Sequence, residues 1–333
     1  MSDHIHLTVA EATQLGEQAL LASGFDEEQA PIITAHLVDA MLCGLPFAGL
    51  PRILTINEDP RTHLPRTPLR VVYETKISAT LDGGNNVGYY TVLKATELAI
   101  QKAREHGIAV VGLYRSHLNG RSAYYMDKIA RAGFVGIHTT SGPAVVLPQG
   151  GRKPAFGTNP IAFGFPMEED PFVVDFGTAA MMRGHVILHS RTGAPLPEGV
   201  ALDGEGNPTT DPKAVLDGGG IFTFGGHRSS ALSFGIQALG LLAGGARPRG
   251  VGKDFSFFFV VFDPNLLMPA EEFRQHLREL IEMVRAVPPT NPDEPVRIPS
   301  ERAYRDRRRR MTEGVDLHKT IYDQLRALTD SSR

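Results

Sequence analysis

The sequence predicts a mixed α/β protein whose sheet is not doubly wound. Three observations carry this reading. Helix and strand patterns are interleaved without clean βαβ alternation. No GxGxxG follows an N-terminal strand, so the usual fingerprint of a doubly wound dinucleotide fold is missing. The run FSFFFVVF at 255–262 has the length of a strand and reads as a central one.

The elements follow in order. Residues 8–23 are expected to form a helix, capped at Thr8 with Glu11 completing a capping box. Residues 26–44 give a second, with Asp26 as cap and Ile32, Ile33, Leu37 and Met41 near helical spacing. Leu45 to Pro51 is a turn broken by Gly and Pro, and Pro60, Pro65 and Pro68 mark a linker. Val71 to Leu81 alternates as one strand, and Asp82-Gly83-Gly84-Asn85 signals a turn. A helix over 89–105, a buried strand over 108–113, a helix over 122–132 and a strand over 134–139 follow, then strands near 161–165 and 172–175. The Gly, Pro and Asp of 192–220 predict an ordered, turn-rich surface loop. Residues 229–243 read as a helix apolar on several sides, hence buried. Residues 270–286 are an amphipathic helix, and 316–328 the last one. The expected division is an N-terminal helical part, 1–70, joined by the C-terminal helices of 270–333, with a mixed α/β domain over 71–269. There is no internal repeat.

Composition narrows the function classes. A chain of 333 residues, 42% hydrophobic, has enough apolar material for a large core. With 34 basic and 37 acidic residues, no global charge bias points to nucleic acid or a membrane surface. The single Cys43 excludes an intramolecular disulfide, a cysteine-based zinc site and a CxxC pair, and fits a reducing, cytoplasmic setting. The start MSDHIHLTVAEATQ lacks the basic-then-apolar pattern of a signal peptide. His185 and His189 are the only i, i+4 histidine pair, but they fall in an expected strand region with no third ligand nearby, so no metal site is expected. There is no GxSxG elbow for a serine hydrolase.

The most informative stretch is LPQGGRKPAFGTNPIAFGFP at 147–166. Its glycines permit close backbone approach, and Thr158 and Asn159 offer hydrogen bonds at the mouth of a strand. The string resembles the GGxxPxxGTNPxA signature of the type-2 malate/lactate dehydrogenases. YRSHLNGRSAYYMDKIARAGFVGI, DFGTAAMMRG, FGGHRSSALS and RIPSERAYRDR resemble further segments of that family. The last two, with LPEGVALDGEGNPTTDPKAVLDGG, bring the chain near its delta-1-piperideine-2-carboxylate and delta-1-pyrroline-2-carboxylate reductase branch. The resemblance implies the family's mixed, non-Rossmann NAD(P)-binding α/β fold, with the cofactor domain over 71–269 and a homodimeric assembly. It implies reduction of a C=N or C=O beside a carboxylate, with NADPH, or NADH, as reductant. The main expectation is a cyclic imino acid substrate. The alternatives are a 2-oxo/2-hydroxy acid of the malate, lactate or sulfolactate type, or a cofactor-binding homologue with altered or lost catalysis.

The resemblance also implies site residues. Arg52 would hold the substrate carboxylate, and His117 would act at the substrate. Cofactor contacts would come from Thr140, Ser141, Gly157, Thr158, Asn159, Asp175, Phe176, Gly177, Thr178, Arg183, His227, Arg228, Ser300, Glu301 and Arg302. Within these, Arg183 would favour a 2′-phosphate, and the basic pair His227-Arg228 at a helix start would suit the pyrophosphate. Read without the resemblance, Arg52 is equally an arginine closing a surface ion pair, and Asp175 an Asx turn. Arg307 to Arg310 reads as a solvated helix face. Two departures stand out. The family's Ser-His falls on Phe47-Ala48, and the second His of its SHHFG falls on Leu118.

Overall fold

The 255–262 run does become the centre of the sheet. The computed structural model describes residues 3–245 and 255–330. The chain opens with β1 (His4–Leu7), α1 (Val9–Ala22) and α2 (Gln29–Leu42), a 3-10 turn at Pro46–Ala48, and α3 (Arg52–Glu58). Then come β2 (Arg70–Glu74), β3 (Ser78–Val87), α4 (Gly88–His106), β4 (Ile108–His117), α5 (Ser122–Arg131) and β5 (Val135–Ser141). β6 (Ile161–Phe165), β7 (Phe172–Phe176), α6 (Arg183–Thr192), β8 (Ala201–Leu202), α7 (Pro212–Leu216) and β9 (Gly220–Ile221) follow. The last elements are α8 (His227–Leu242), β10 (Phe255–Phe262), α9 (Ala270–Arg285), α10 (Glu301–Glu313), β11 (Val315–His318) and α11 (Lys319–Asp330).

Seven strands form the main sheet in the order β2-β3-β4-β10-β5-β6-β7. Of its pairings only β3 with β4 is parallel. A doubly wound fold needs consecutive parallel crossovers, so the sheet is the mixed, non-Rossmann kind. Phe257, Phe259 and Val261 of β10 are fully buried, as a central strand requires.

Two packing layers position the site. α1, α2, α3 and α11 share one apolar cluster around Leu20, Ile33, Leu37, Ile53 and Leu325. β1 pairs with β11, which brings the two ends of the chain together beside it. α4 and α5 cover one face of the sheet through Val92, Ala99, Met126 and Ile129. A smaller cluster of Val146, Phe156, Val186, Leu196, Val215 and Ile221 lies under the 192–220 excursion. The Thr8 cap forms as expected: Glu11 N donates to Thr8 Oγ1 at 3.2 Å and Thr8 N to Glu11 Oε2 at 2.8 Å.

Several expectations need correction. Val71 to Leu81 is not one strand but a hairpin. Thr75 N donates to Ser78 O at 2.9 Å and closes the turn between β2 and β3. The Asp82-Gly83-Gly84-Asn85 signal makes no chain reversal. Gly84 and Asn85 take positive φ (62° and 65°) inside β3 and shift its register against β4, a bulge. His185 and His189 lie on the helix α6, not a strand, and no group of three potential ligands for a metal occurs among the described residues. α8 is buried on one side only. Its Ser233 and Gly240 press on the sheet so closely that a Cβ at Gly240 would stand 2.0 Å from Ser141 Oγ. Phe234 and Leu242, on its other sides, are 68% and 75% exposed. The arginine run is a solvated face only in part: Arg308 and Arg309 are exposed, but Arg307 and Arg310 are not. Arg307 pairs with Asp39 of α2 at 2.9 Å, and Arg310 donates to Met41 O and Leu42 O at 3.3 and 3.2 Å. No helix among the described residues is long and apolar enough to cross a membrane.

Candidate active site

A cavity of about 550 Å³ opens where the 45–61 segment of the helical layer meets the sheet. Its walls come from the β4–α5 connection (Leu118 to Ser122), the end of β5, the 157–160 loop, and the β7–α6 connection (Asp175 to Ile187). Strand ends and helix starts converge there because the 45–61 segment is anchored from behind by Leu50, Ile53 and Ile56, all fully buried.

One end of the cavity is cationic. Arg52, Arg61 and Arg183 all line it, with Asp59. Asp59 holds Arg61 with two prongs, Nε to Oδ1 at 2.9 Å and Nη2 to Oδ2 at 2.5 Å. Burial pushes the Asp59 carboxyl up, but the Arg61 hydrogen bonds and charge outweigh this and hold it below its ordinary value. Arg183 is held below its ordinary value by desolvation and then by repulsion from Arg52 and Arg61. Guanidinium groups that repel one another around a single carboxylate favour an anionic guest.

The other end is polar, without a guanidinium cluster. Asn119 Nδ2 donates to Thr140 Oγ1 at 3.2 Å, and Thr140 Oγ1 lies 3.2 Å from His138 Nε2. His138 Nδ1 lies 3.1 Å from Phe258 O, which only an Nδ1–H can satisfy. His138 Nε2 is thereby an acceptor, the Thr140 hydroxyl points at it, and Asn119 is fixed in turn. Burial lowers the His138 pKa to about 3, so the ring stays neutral. Asp175 accepts from Ala123 N at 2.8 Å, and enclosure by the cavity wall raises its pKa.

Four cavity-lining residues carry a buried polar atom without a partner: Thr55 Oγ1, Tyr89 Oη, Ser122 Oγ and Asn159 Oδ1. An unsatisfied buried group costs roughly 1–3 kcal/mol. Mixed donors and acceptors of this kind fit a nicotinamide carboxamide and a small carboxylate.

The structure brings together Arg52, Thr140, Gly157, Thr158, Asn159, Asp175, Phe176, Gly177 and Arg183. His117 is a correction. It is 1% exposed, does not line the cavity, and turns toward Thr62, whose Oγ1 is 3.4 Å from its Nε2. Strand alternation sends it under the 3-10 turn at Pro60–His63, and burial lowers its pKa to about 4. Ser141 and Thr178 stand behind the wall. Ser141 Oγ is bound to Ser256 Oγ at 2.6 Å, and Thr178 Oγ1 donates to Thr158 O at 3.1 Å. His227 and Arg228, exposed in the first turn of α8, line neither this cavity nor the next, and the same holds for Glu301 and Arg302. Glu301 instead pairs with Arg285 of α9. Arg183 sits at the Arg52 end, beside Phe47 and Gly184, rather than in a separate phosphate pocket.

Ser300 lines a second cavity of about 440 Å³ between α2, α5 and α10, with Asp39, Lys128 and Arg307. Arg121 lines both cavities, so the two are neighbours across one side chain. It pairs with Asp39 at 3.2 Å. Sequence reasoning missed Asp59, Arg61, Tyr89, Asn119 and Arg121. The Asp59-Pro60-Arg61 turn carries a visible charge pair, but Tyr89 sits in a helix start with no polar signal of its own.

The departures lie inside the site. Phe47, Ala48 and Leu118 all line the main cavity. The Phe47 ring packs on His185 of α6 at 3.6 Å between centroids. Among the described residues, no histidine lines the cavity.

The family model for malate/L-lactate dehydrogenase matches residues 7–326. The chain is 33% identical to a malate/(S)-sulfolactate dehydrogenase of Methanothermus fervidus over 93% of both chains. It is 38% identical to a delta(1)-pyrroline-2-carboxylate/delta(1)-piperideine-2-carboxylate reductase of Pseudomonas putida over 71% of this chain and 70% of that one. A solved delta1-piperideine-2-carboxylate reductase from Pseudomonas syringae superposes with a TM-score of 0.83 at 27% identity, covering 97% of this chain and 99% of that one. The family implies a nicotinamide cofactor, and the chain belongs to the malate/L-lactate dehydrogenase family as an oxidoreductase.

Proposed function

We propose that this chain reduces the C=N bond of a cyclic imino acid, such as delta-1-piperideine- or delta-1-pyrroline-2-carboxylate, with NADPH as reductant. The observation that carries the reading is an arginine-rich anion site beside Phe47, Ala48 and Leu118, with no imidazole among the described residues that line the cavity. When bound, the dihydronicotinamide supplies the hydride. Arg52 holds the substrate carboxylate through its planar fork, and Arg183 adds charge at the same end. Thr140, Thr158, Asn159 and the Asp175–Gly177 turn, which line the cavity, would hold the nicotinamide and its ribose. Lys128 and Arg307, lining the Ser300 cavity across Arg121, would favour a 2′-phosphate on the adenosine end of the cofactor.

The imino acid preference rests on how far each substrate depends on an acid. A ketone becomes an alkoxide as hydride arrives and needs an acid at that moment. A protonated cyclic imine becomes a neutral amine and does not. The second reading is a 2-oxo acid reductase, favoured by the malate- and sulfolactate-type relatives that match most of the chain. The test is oxidation of NADPH and NADH with delta-1-piperideine-2-carboxylate, delta-1-pyrroline-2-carboxylate, pyruvate, oxaloacetate and sulfopyruvate. Faster turnover of the cyclic imines is the expected result. Cofactor binding without turnover on any of the five overturns both readings and leaves a binding protein.

A further inference from the structure

We propose that Tyr89 Oη is the acid that protonates the substrate heteroatom in this chain, in the place the missing histidine leaves open. The inference rests on the reductase reading above. Tyr89 lines the main cavity and is fully buried; its hydroxyl faces the Arg52 guanidinium and has no acceptor for its own proton. Arg52 lies beside it. The position is built. Tyr89 N donates to Leu118 O at 3.2 Å, which ties the residue to the second lost histidine position. Gly120, at φ 69°, makes room for the ring, since a Cβ there would stand 2.4 Å from Tyr89 Cε1.

The other acids of the cavity are excluded by their partners. Asp59 is clamped on Arg61. Asp175 is turned to the Ala123 amide at the opposite end. His36, behind the wall, already accepts from Arg121 N at 2.9 Å, and His185 lies outside the lining against Phe47. The chemistry of the substrate then fixes the geometry. The carboxylate carbon is bonded directly to the reacting carbon, so a group beside Arg52 is within reach of the heteroatom when Arg52 holds the carboxylate. As the carbon gains its hydride, the C=O or C=N electron pair moves onto oxygen or nitrogen. The Tyr89 O–H bond breaks, and its proton passes to that atom. The phenolate left behind is stabilised by Arg52 and takes a proton back from solvent after product leaves. Burial raises the Tyr89 pKa and the Arg52 charge opposes it, which keeps the group protonated at rest while favouring the charged form beside the guanidinium.

The experiment is Tyr89→Phe, an isosteric change, with NADPH affinity by fluorescence as the control for an intact cofactor site. Loss of a general acid is expected to lower kcat/KM on a 2-oxo acid by about 10²-fold or more. Reduction of the cyclic imine should be spared where the iminium is already protonated and should fall only above the iminium's own pKa. Trifluorotyrosine at position 89 lowers the phenol pKa and should move the alkaline limb of the pH profile downward, which a structural role would not do. Fluorotyrosine at 89 gives a readout without turnover, since its ¹⁹F resonance should shift when oxamate is added to the NADP⁺ complex. Wild-type turnover that is undiminished in Tyr89→Phe, with an unchanged alkaline limb, overturns the acid role and leaves the reductase reading standing. Absence of turnover in the wild type on both substrate classes overturns both.

Discussion

Replacing Arg52 by alanine tests the anion site most directly. The cavity offers three guanidinium groups at that end, but they are not equivalent. Arg61 already spends its fork on Asp59, Nε to Oδ1 at 2.9 Å and Nη2 to Oδ2 at 2.5 Å, and its charge lies 5.3 Å over the Phe255 ring. Arg183 stays in the field of Arg52 and Arg61, which lowers its pKa together with desolvation. Arg52 has no carboxylate partner among the described residues and faces the Tyr89 hydroxyl, which leaves guanidinium donors for a guest. A bidentate carboxylate contact comprises two charge-assisted hydrogen bonds of about 1.5–3 kcal/mol each. Arg183 retains charge nearby, so the expected net loss is about 3–4 kcal/mol, or roughly 10²–10³-fold in kcat/KM. Arg52→Lys keeps the charge and loses the fork, and should fall between wild type and alanine. The assay is initial-rate NADPH oxidation over a range of substrate concentration, with thermal unfolding as the folding control. An Arg52→Ala protein with unchanged kcat/KM and unchanged Tm would refute the carboxylate role.

Other outcomes are expected alongside it. Lys128→Ala, in the Ser300 cavity, should weaken NADPH more than NADH by roughly 1–3 kcal/mol, while Arg183→Ala should affect both cofactors equally; fluorescence titration with each cofactor decides. The chain should form a homodimer through the exposed apolar side of α8, and Phe234→Asp with Leu242→Asp should give a monomer by light scattering; a wild type that is already monomeric and active sinks this. His117 and His138 have folded pKa values of about 4 and 3, below the unfolded value of 6.5, so the unfolded state binds protons first as pH falls. Their contribution is complete above about pH 6.5 and is lost on acidification, by about 2 kcal/mol each at pH 5. Denaturant unfolding at pH 7 and pH 5 measures this, and His117→Gln should flatten the slope by about one proton. Phe47→Ser with Ala48→His should raise 2-oxo acid reduction relative to imine reduction, by up to about 10²-fold; no change in that ratio would argue that proton supply does not set the preference.

The sequence carried the architecture further than the site because the two rest on different signals. The central strand was legible since eight consecutive apolar or hydroxyl-bearing residues at 255–262 have no other stable place than between two strands. The Thr8–Glu11 box was legible since it is a local exchange of hydrogen bonds. The failures were non-local. Asp82 to Asn85 has the chemistry of a turn, yet pairing with β4 on one side and β2 on the other stretches it into a bulged strand. The apolar pattern of α8 reports burial but not by what, and only one of its faces meets this chain's sheet. In the site, residues on cavity-lining loops such as Gly157, Thr158, Asn159 and Asp175 were legible from a motif, because a motif is a contiguous string. His117 could not: one step along a strand moves a side chain to the opposite face, and the string SHLNG does not say which face the cavity takes. Tyr89 is the complementary case. It reaches the cavity only because Gly120 gives its ring space and Leu118 fixes its backbone, two residues about thirty positions away in sequence. The lost histidines were visible as absences in the string. What stands in their place depends on packing, so the acid of this site is a property of the fold rather than of any motif.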